Sequence, residues 1–448
     1  MEKIKYERPI IRSISVGVPN KIGSKGFSRP MTHIEGIAVK DLIEKYGSPL
    51  FVISEKVLTD TFNDAKRAFT TRYPKVQFAW SYKTNYIDAV CRIYQKLGSW
   101  AEVVSGFEYH KALKNGIDPT NIIFNGPDKS KADLELAIRN GSYLHIDHFD
   151  ELFEIVGLTN KLNLKAKVAV RINMDTGIIP QWDRFGFNYE SGEAWNVVNR
   201  IMLNPNLELV GLHCHIGTYI LSTNAYGQAA SKLAEMTYQI EKKFKHNIKY
   251  IDIGGGFASK NTLRGAYLTG TDTCPTFDEY ADAISNALIN TGLNPKHLPT
   301  LILETGRALI DDAAFLLGTV LANKRLPDGR RSTIVDVGVN ILFTAFWYDH
   351  TIIPAQDYSS FNEDTIIYGP LCMNIDIIRP NLAFPPLNRG DNFVILRVGA
   401  YNMTQWMQFI TLRPKVILID TTGHVHIIRE NETEATFAQM ERLPEYLK

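Results

Sequence analysis

Lys83 stands where a short apolar run stops. The preceding residues, Gln77 to Tyr82, carry β-formers at Phe78, Trp80 and Tyr82, and Thr84 and Asn85 after it suit a turn or a helix cap. Burial at a strand mouth lowers a lysine's pKa and makes it a nucleophile towards aldehydes, whereas a lysine that snorkels to solvent does nothing. Gly254, Gly255 and Gly256 follow Tyr-Ile-Asp-Ile. Three glycines let backbone N–H groups approach an anion closely, or simply make a tight turn. Glu304, Gly306 and Arg307 supply an acceptor, a bend and a cation, and a buried glutamate needs a partner. His215, in His-Cys-His-Ile-Gly-Thr (213–218), reads by default as a core histidine. Beside a phosphate-type turn, its flat ring suits stacking on a cofactor.

These residues fall at the ends of regularly spaced strands. From Gln77 onward eight apolar runs alternate with helical stretches: 77–83, 100–105, 122–126, 143–147, 167–173, 209–217, 250–256 and 300–306. Strand–helix alternation implies parallel pairing, and eight repeats predict a closed (β/α)8 barrel spanning residues 50–310, with chemistry at the strands' C-terminal ends. After about Leu309 the pattern changes to strands interrupted by prolines. This predicts a second, mainly antiparallel β domain over 311–448, completed by the N-terminal segment 1–49.

The 448 residues carry a net charge of +1, with 45 % hydrophobic and 22 % charged side chains. That balance gives no nucleic-acid or membrane surface. The start of the sequence shows no signal-peptide core, and four widely spaced cysteines fit a reducing cytoplasm rather than a disulfide framework or a zinc site.

A lysine, a phosphate turn, a carboxylate and a flat ring around one mouth meet the needs of pyridoxal phosphate: aldehyde anchor, phosphate nest, pyridinium partner and stacking platform. At this point the sequence resembles the fold-type III pyridoxal-phosphate-dependent decarboxylases, which include diaminopimelate and ornithine decarboxylases. The motifs are Tyr-Lys-Thr-Asn (82–85), Ala-Glu-Val-Val-Ser (101–105), His-Cys-His-Ile-Gly-Thr (213–218), Gly-Gly-Gly (254–256), Glu-Thr-Gly-Arg (304–307), Gly-Pro-Leu-Cys-Met-Asn-Ile-Asp (369–376) and Gly-Ala-Tyr (399–401), within a match from about Gly47 to Arg413. The resemblance implies that Lys83 holds the cofactor, His215 stacks on its ring and Glu304 meets the ring nitrogen. It gives Thr218, Gly254 to Gly256, Gly306, Arg307 and Tyr401 to the phosphate end, and Arg171 to the network beneath the ring. It further implies a homodimer with shared active sites, in which Cys372 from a second subunit protonates Cα, and Arg184 pairs across the interface with Asp376.

Two substrate-facing positions depart from the diaminopimelate pattern. Met373 replaces a glutamate after the cysteine, and Thr344 replaces an arginine. The Tyr-Asp-His stretch at 348–350 resembles ornithine decarboxylases, whose aspartate, here Asp349, receives a distal ammonium. The expectation is therefore α-decarboxylation of a cationic diamino acid such as ornithine or lysine, or of a conjugated amino acid. The alternatives are diaminopimelate decarboxylation, racemisation on the same fold, and a non-catalytic decarboxylase-like binding protein.

Overall fold

The computed structural model describes residues 29–358 and 362–448. Eight parallel strands close into a barrel: Val76–Ser81, Trp100–Val103, Ile122–Phe124, Tyr143–Ile146, Ala166–Asn173, Leu207–His213, Tyr250–Asp252 and Thr300–Leu303. Each pairs with the next, and the last returns to the first. These are the eight strands expected from the alternation. The helices between them begin at polar caps: Ser105 opens Gly106–Lys114, Ser130 opens Lys131–Asn140, and Thr276 with Glu279 forms a capping box at Phe277–Asn290.

Inside the barrel, period-two alternation separates two layers. The lower is an apolar plug with one residue from each strand: Ala79, Trp100, Ile123, Tyr143, Ala169, Val210, Tyr250 and Ile302. Two residues further along, the same inward face carries Ser81, Glu102, Asn125, His145, Arg171, Asp252 and Glu304. An irregular register between Leu209 and Gly211 shifts the sixth strand, so that His213 pairs in line with Arg171 and Asp252. The plug seals the bottom and the polar layer forms the floor of the mouth.

The second sheet runs in the order Ile377–Phe384, Glu363–Tyr368, Arg331–Val335, Ala314–Arg325, Leu50–Ser54, Lys415–Ile419, Val425–Arg429. It is mainly antiparallel. Leu50–Ser54, placed by sequence with the barrel residues, pairs instead with Ala314–Arg325 and Lys415–Ile419. All five of its residues are buried. Phe51 and Ile53 join the main core, while Leu50 and Val52 join a second cluster with Ile34, Val39 and Leu42. A strand that is apolar on both faces needs cover on both, and the middle of this sheet supplies it. The expected contribution of residues 1–28 to this sheet lies outside the described residues.

The sequence reading missed Glu363–Tyr368 and Ile377–Phe384 because of Pro370 and Pro380. Pro380 sits in an edge strand, at a break in its register, where no ladder donor is needed. Ser54 ends the crossing strand, and its hydroxyl accepts the Val57 N–H at 3.1 Å, capping helix Glu55–Thr70. That helix lies against Phe277–Asn290 through Arg67–Asp278 (2.6 Å) and Arg72–Asp282 (2.5 Å), which completes the helical ring. Among the described residues no helix is long and apolar enough to cross a membrane.

Candidate active site

Lys83 lies in a single 3-10 turn, Tyr82–Thr84, directly after the first barrel strand. Its ammonium donates to Glu102 at 2.6 Å, and 36 % of its side chain remains open to the mouth. The expectation of a lowered pKa does not hold. Burial works in that direction, but the charges of Glu102 and Glu304 outweigh it and hold the ammonium above its ordinary range. Asn125 bridges the two acids, donating from Nδ2 to Glu102 (3.1 Å) and to Glu304 (2.5 Å). Glu304 Oε2 lies 3.4 Å from His213 Nε2. Asp252 sits beside Glu304, and its carboxyl is pushed far up by burial and by that neighbouring charge.

His215 is pushed down to about 3, first by burial and then by Lys83 and Arg171, so its ring is neutral at working pH. The Gly255 N–H donates to its Nδ1 at 3.2 Å, which leaves the ring proton on Nε2. Trp182 stands beside it at 5.4 Å.

The three glycines are fixed by close packing. A Cβ on Gly254 would meet the Cys214 carbonyl and the His215 ring, one on Gly255 the Glu304 carbonyl, and one on Gly256 the Gly217 carbonyl. Gly254 and Gly256 also take positive φ, at 70° and 91°. Two of the three N–H groups are engaged within the chain: Gly254 donates to Asp252 Oδ1 at 2.8 Å and Gly255 to His215. The expected nest of three donors is therefore narrower than the glycines suggested. Gly306 lets the Glu304–Arg307 turn approach Thr84, next to Lys83, where any side chain would collide with the Thr84 hydroxyl. Tyr401 holds a positive φ of 60°, and its N–H donates to the Thr84 carbonyl at 2.9 Å.

The Arg307 guanidinium is enclosed by the rings of Tyr401 (4.6 Å), Tyr348 (5.3 Å), Trp347 and Tyr219 (both 5.8 Å). Its Nη1 is buried with no hydrogen-bond partner. Arg171, in register with His213 on the neighbouring strand, pairs with Asp147 at 3.3 Å. Thr218 is exposed on the same loop as His215.

The residues expected on the substrate and interface side have partners within the chain. Asp349 does not stand alone: Oδ2 accepts the Gly265 N–H at 3.3 Å, and Oδ1 lies 3.7 Å from Arg379 Nε, near it in charge but without a hydrogen bond between them. Thr344 is buried and spends its hydroxyl on His350 (2.8 Å) and Asn402 (2.9 Å). Asp376 is 2 % exposed and accepts the Val339 and Leu371 N–H groups, both at 2.8 Å. It staples its own loop with one backbone N–H on each oxygen. Arg184 is exposed, with its guanidinium 5.1 Å from the Phe185 ring. Cys372 projects outward from the stapled loop and Met373 packs inward.

A family model described as pyridoxal-dependent decarboxylase, pyridoxal binding domain, matches residues 59–311, and the chain belongs to that family. It is 29 % identical over 415 residues to the diaminopimelate decarboxylase of Aquifex aeolicus, covering 89 % of this chain and 93 % of that one. It is also 29 % identical over 432 residues to the Methanocaldococcus jannaschii diaminopimelate decarboxylase, covering 92 % and 95 %. It superposes on a crystal structure of the M. jannaschii enzyme in complex with L-lysine at a TM-score of 0.85, with 28 % identity over 93 % of this chain and 97 % of that one. The protein is a pyridoxal-phosphate-dependent amino-acid decarboxylase. The site fits that cofactor. A buried guanidinium with an unanswered N–H suits a phosphate, and a buried, oriented carboxylate suits a pyridinium nitrogen.

Proposed function

We propose that this enzyme removes the α-carboxylate of a diamino acid, with diaminopimelate as the first candidate and lysine as its product. The observation that carries the reading is the likeness, over nearly the whole chain, to enzymes named diaminopimelate decarboxylase. The paired Asp349 and Arg379 support it. Asp349 follows Trp347 and Tyr348, two of the rings around Arg307, and with Arg379 it presents both signs of charge. A zwitterionic far end matches such a pair, whereas a lone distal ammonium would meet an aspartate already facing a guanidinium.

Pyridoxal phosphate, when bound, supplies the electron sink that lets carbon dioxide leave Cα. Lys83 would carry its aldehyde carbon, Glu304 would face its ring nitrogen and His215 its ring. Arg307, Tyr401, Thr218, Gly306 and the Gly254–Gly256 turn would surround its phosphate. Glu102, at 2.6 Å, is placed to take the Lys83 proton, and Asn125 keeps Glu102 and Glu304 apart in role by donating to both. The neutral His215 offers a flat, uncharged face. Cys372, exposed beside Ile375 (54 % exposed), would reach the mouth of a second copy in a homodimer and return a proton to Cα there.

The test is a mass-spectrometric assay for carbon dioxide and amine product with meso-diaminopimelate, L- and D-ornithine, lysine and conjugated amino acids. Lysine formed from diaminopimelate faster than any amine from the others is the expected result. Turnover confined to ornithine or lysine would overturn the substrate.

A further inference from the structure

The proposed chemistry leaves part of the polar floor unused. His145, His213, Asp252 and Glu304 are all buried, and one nitrogen or oxygen from each lies within 4.8 Å of the others. The His145 Nε2 meets the Tyr250 hydroxyl at 2.8 Å, and its ring lies 4.8 Å from that of His213. His145 Nδ1, both nitrogens of His213 and Asp252 Oδ2 have no hydrogen-bond partner within usual distance. Buried polar atoms are rarely left so, and a cluster of them marks shared protons or enclosed water.

The surrounding charges narrow the choice. The nearby cations face other acids: Lys83 faces Glu102, Arg171 faces Asp147 and Lys129 faces Glu151 at 2.6 Å. Burial pushes both histidines well below their ordinary range. His213, Lys129 and Arg171 push His145 further, and Arg171, Lys83 and Lys129 do the same to His213, against the pull of Glu304 and Glu102 respectively. Cys214 and Tyr250 are pushed up and stay protonated. Burial and the charge of the adjacent Glu304 push the Asp252 carboxyl far up, so that Asp252 keeps its proton. Glu304 accepts from Asn125, while Asp252 Oδ1 accepts from Gly254 and leaves Oδ2 for the proton.

We propose that His145 and Tyr250 are positioning residues for the cofactor ring. They pack against His213, whose Nε2 lies 3.4 Å from Glu304 Oε2, and so hold Glu304 towards the ring nitrogen while the proton of the floor stays on Asp252. This rests on the reading of Glu304 as that partner. Tyr250 belongs to the apolar plug and meets His145 Nε2 with its hydroxyl from below at 2.8 Å.

The test uses holoenzyme. The visible band of bound cofactor is titrated, and kcat and KM are measured, for wild type, Tyr250→Phe, His145→Gln and Glu304→Gln. Tyr250→Phe and His145→Gln should still bind stoichiometric cofactor. Their spectral midpoint should move by roughly one pH unit, the scale on which a lost hydrogen-bond partner shifts a carboxyl. The kcat should fall roughly tenfold with KM nearly constant, the pattern of an interaction realised only in the transition state. Tyr250→Phe removes a single hydroxyl and decides the matter if His145→Gln does not fold. Spectra and kcat that coincide with wild type in Tyr250→Phe, while Glu304→Gln shifts both, would overturn this inference alone. An unchanged Glu304→Gln spectrum would remove the reading of Glu304, and this inference with it. One equivalent of zinc in wild type that disappears in His145→Gln would overturn it by making the cluster a metal site.

Discussion

Lys83 is held as an ammonium by the acids that also build the floor. Without Glu102, burial remains and the main opposing charge is gone, so Lys83 in Glu102→Gln should lose its proton at lower pH. The rate of cofactor uptake by apoenzyme, followed at the visible band across pH, should rise at more acidic pH than in wild type. An unshifted profile would show that Glu304 alone holds the ammonium. Lys83 was legible in the sequence because it follows a run of β-formers. Its protonation was not, because Glu102 lies 19 residues away and on a different strand. Asn125 and His145 went unread for a similar reason: each is one ordinary polar residue in or directly after a short strand, and only the period-two inward face of the closed barrel brings them together.

At the scale of elements, the helix Gly106–Lys114 carries a buried acid at its first turn. The Glu108 N–H donates to the Ser105 hydroxyl at 3.3 Å and its carboxyl accepts the Val104 N–H at 2.8 Å. Burial raises the carboxyl to about 7. The folded value lies above the unfolded one, so this stability is complete below the unfolded value and is lost as pH rises through the folded one. Between about pH 4 and 7 wild type should lose stability on the order of 2 kcal/mol through this group. Glu108→Gln keeps the acceptor and removes the titration. Calorimetric melting at pH 5 and pH 8 should differ less in the variant than in wild type, and an equal difference would exclude Glu108. The alternation of strands and helices was readable throughout this half because parallel strands buried on both faces are continuous apolar runs.

For the whole molecule, Asp311 ties the two halves of the site. Its carboxylate accepts from Ser259 (2.6 Å) and Asn261 (3.1 Å) on the barrel side, and from the Ala400 N–H (2.9 Å) beside Tyr401. Asp311→Ala should weaken cofactor binding by on the order of 2 kcal/mol, the scale of a lost charge-assisted hydrogen-bond hub. Equilibrium dialysis of the cofactor measures it, and unchanged retention would show that Tyr401 is held by its Thr84 contact instead. The homodimer is tested by mixing Lys83→Ala with Cys372→Ala, each inactive alone. Random reassortment should restore roughly a quarter of wild-type activity if each site draws on two chains, and nothing if each chain is self-sufficient.

Local order decided what the sequence could tell. The barrel strands, the lysine, the glycines and the Glu-Thr-Gly-Arg turn are all contiguous, and strand ends in a parallel barrel must converge on one mouth. Tertiary structure alone decided the rest. Leu50–Ser54 reads like any apolar strand, and only cover on both faces placed it in the second sheet. Asp349 reads as a free carboxylate until Arg379, 30 residues on, is folded beside it, and nothing in the sequence around Asp376 shows that it staples its own loop. A side chain's charge is written in the sequence, but whether that charge is already answered depends on what the fold brings within about 4 Å of it.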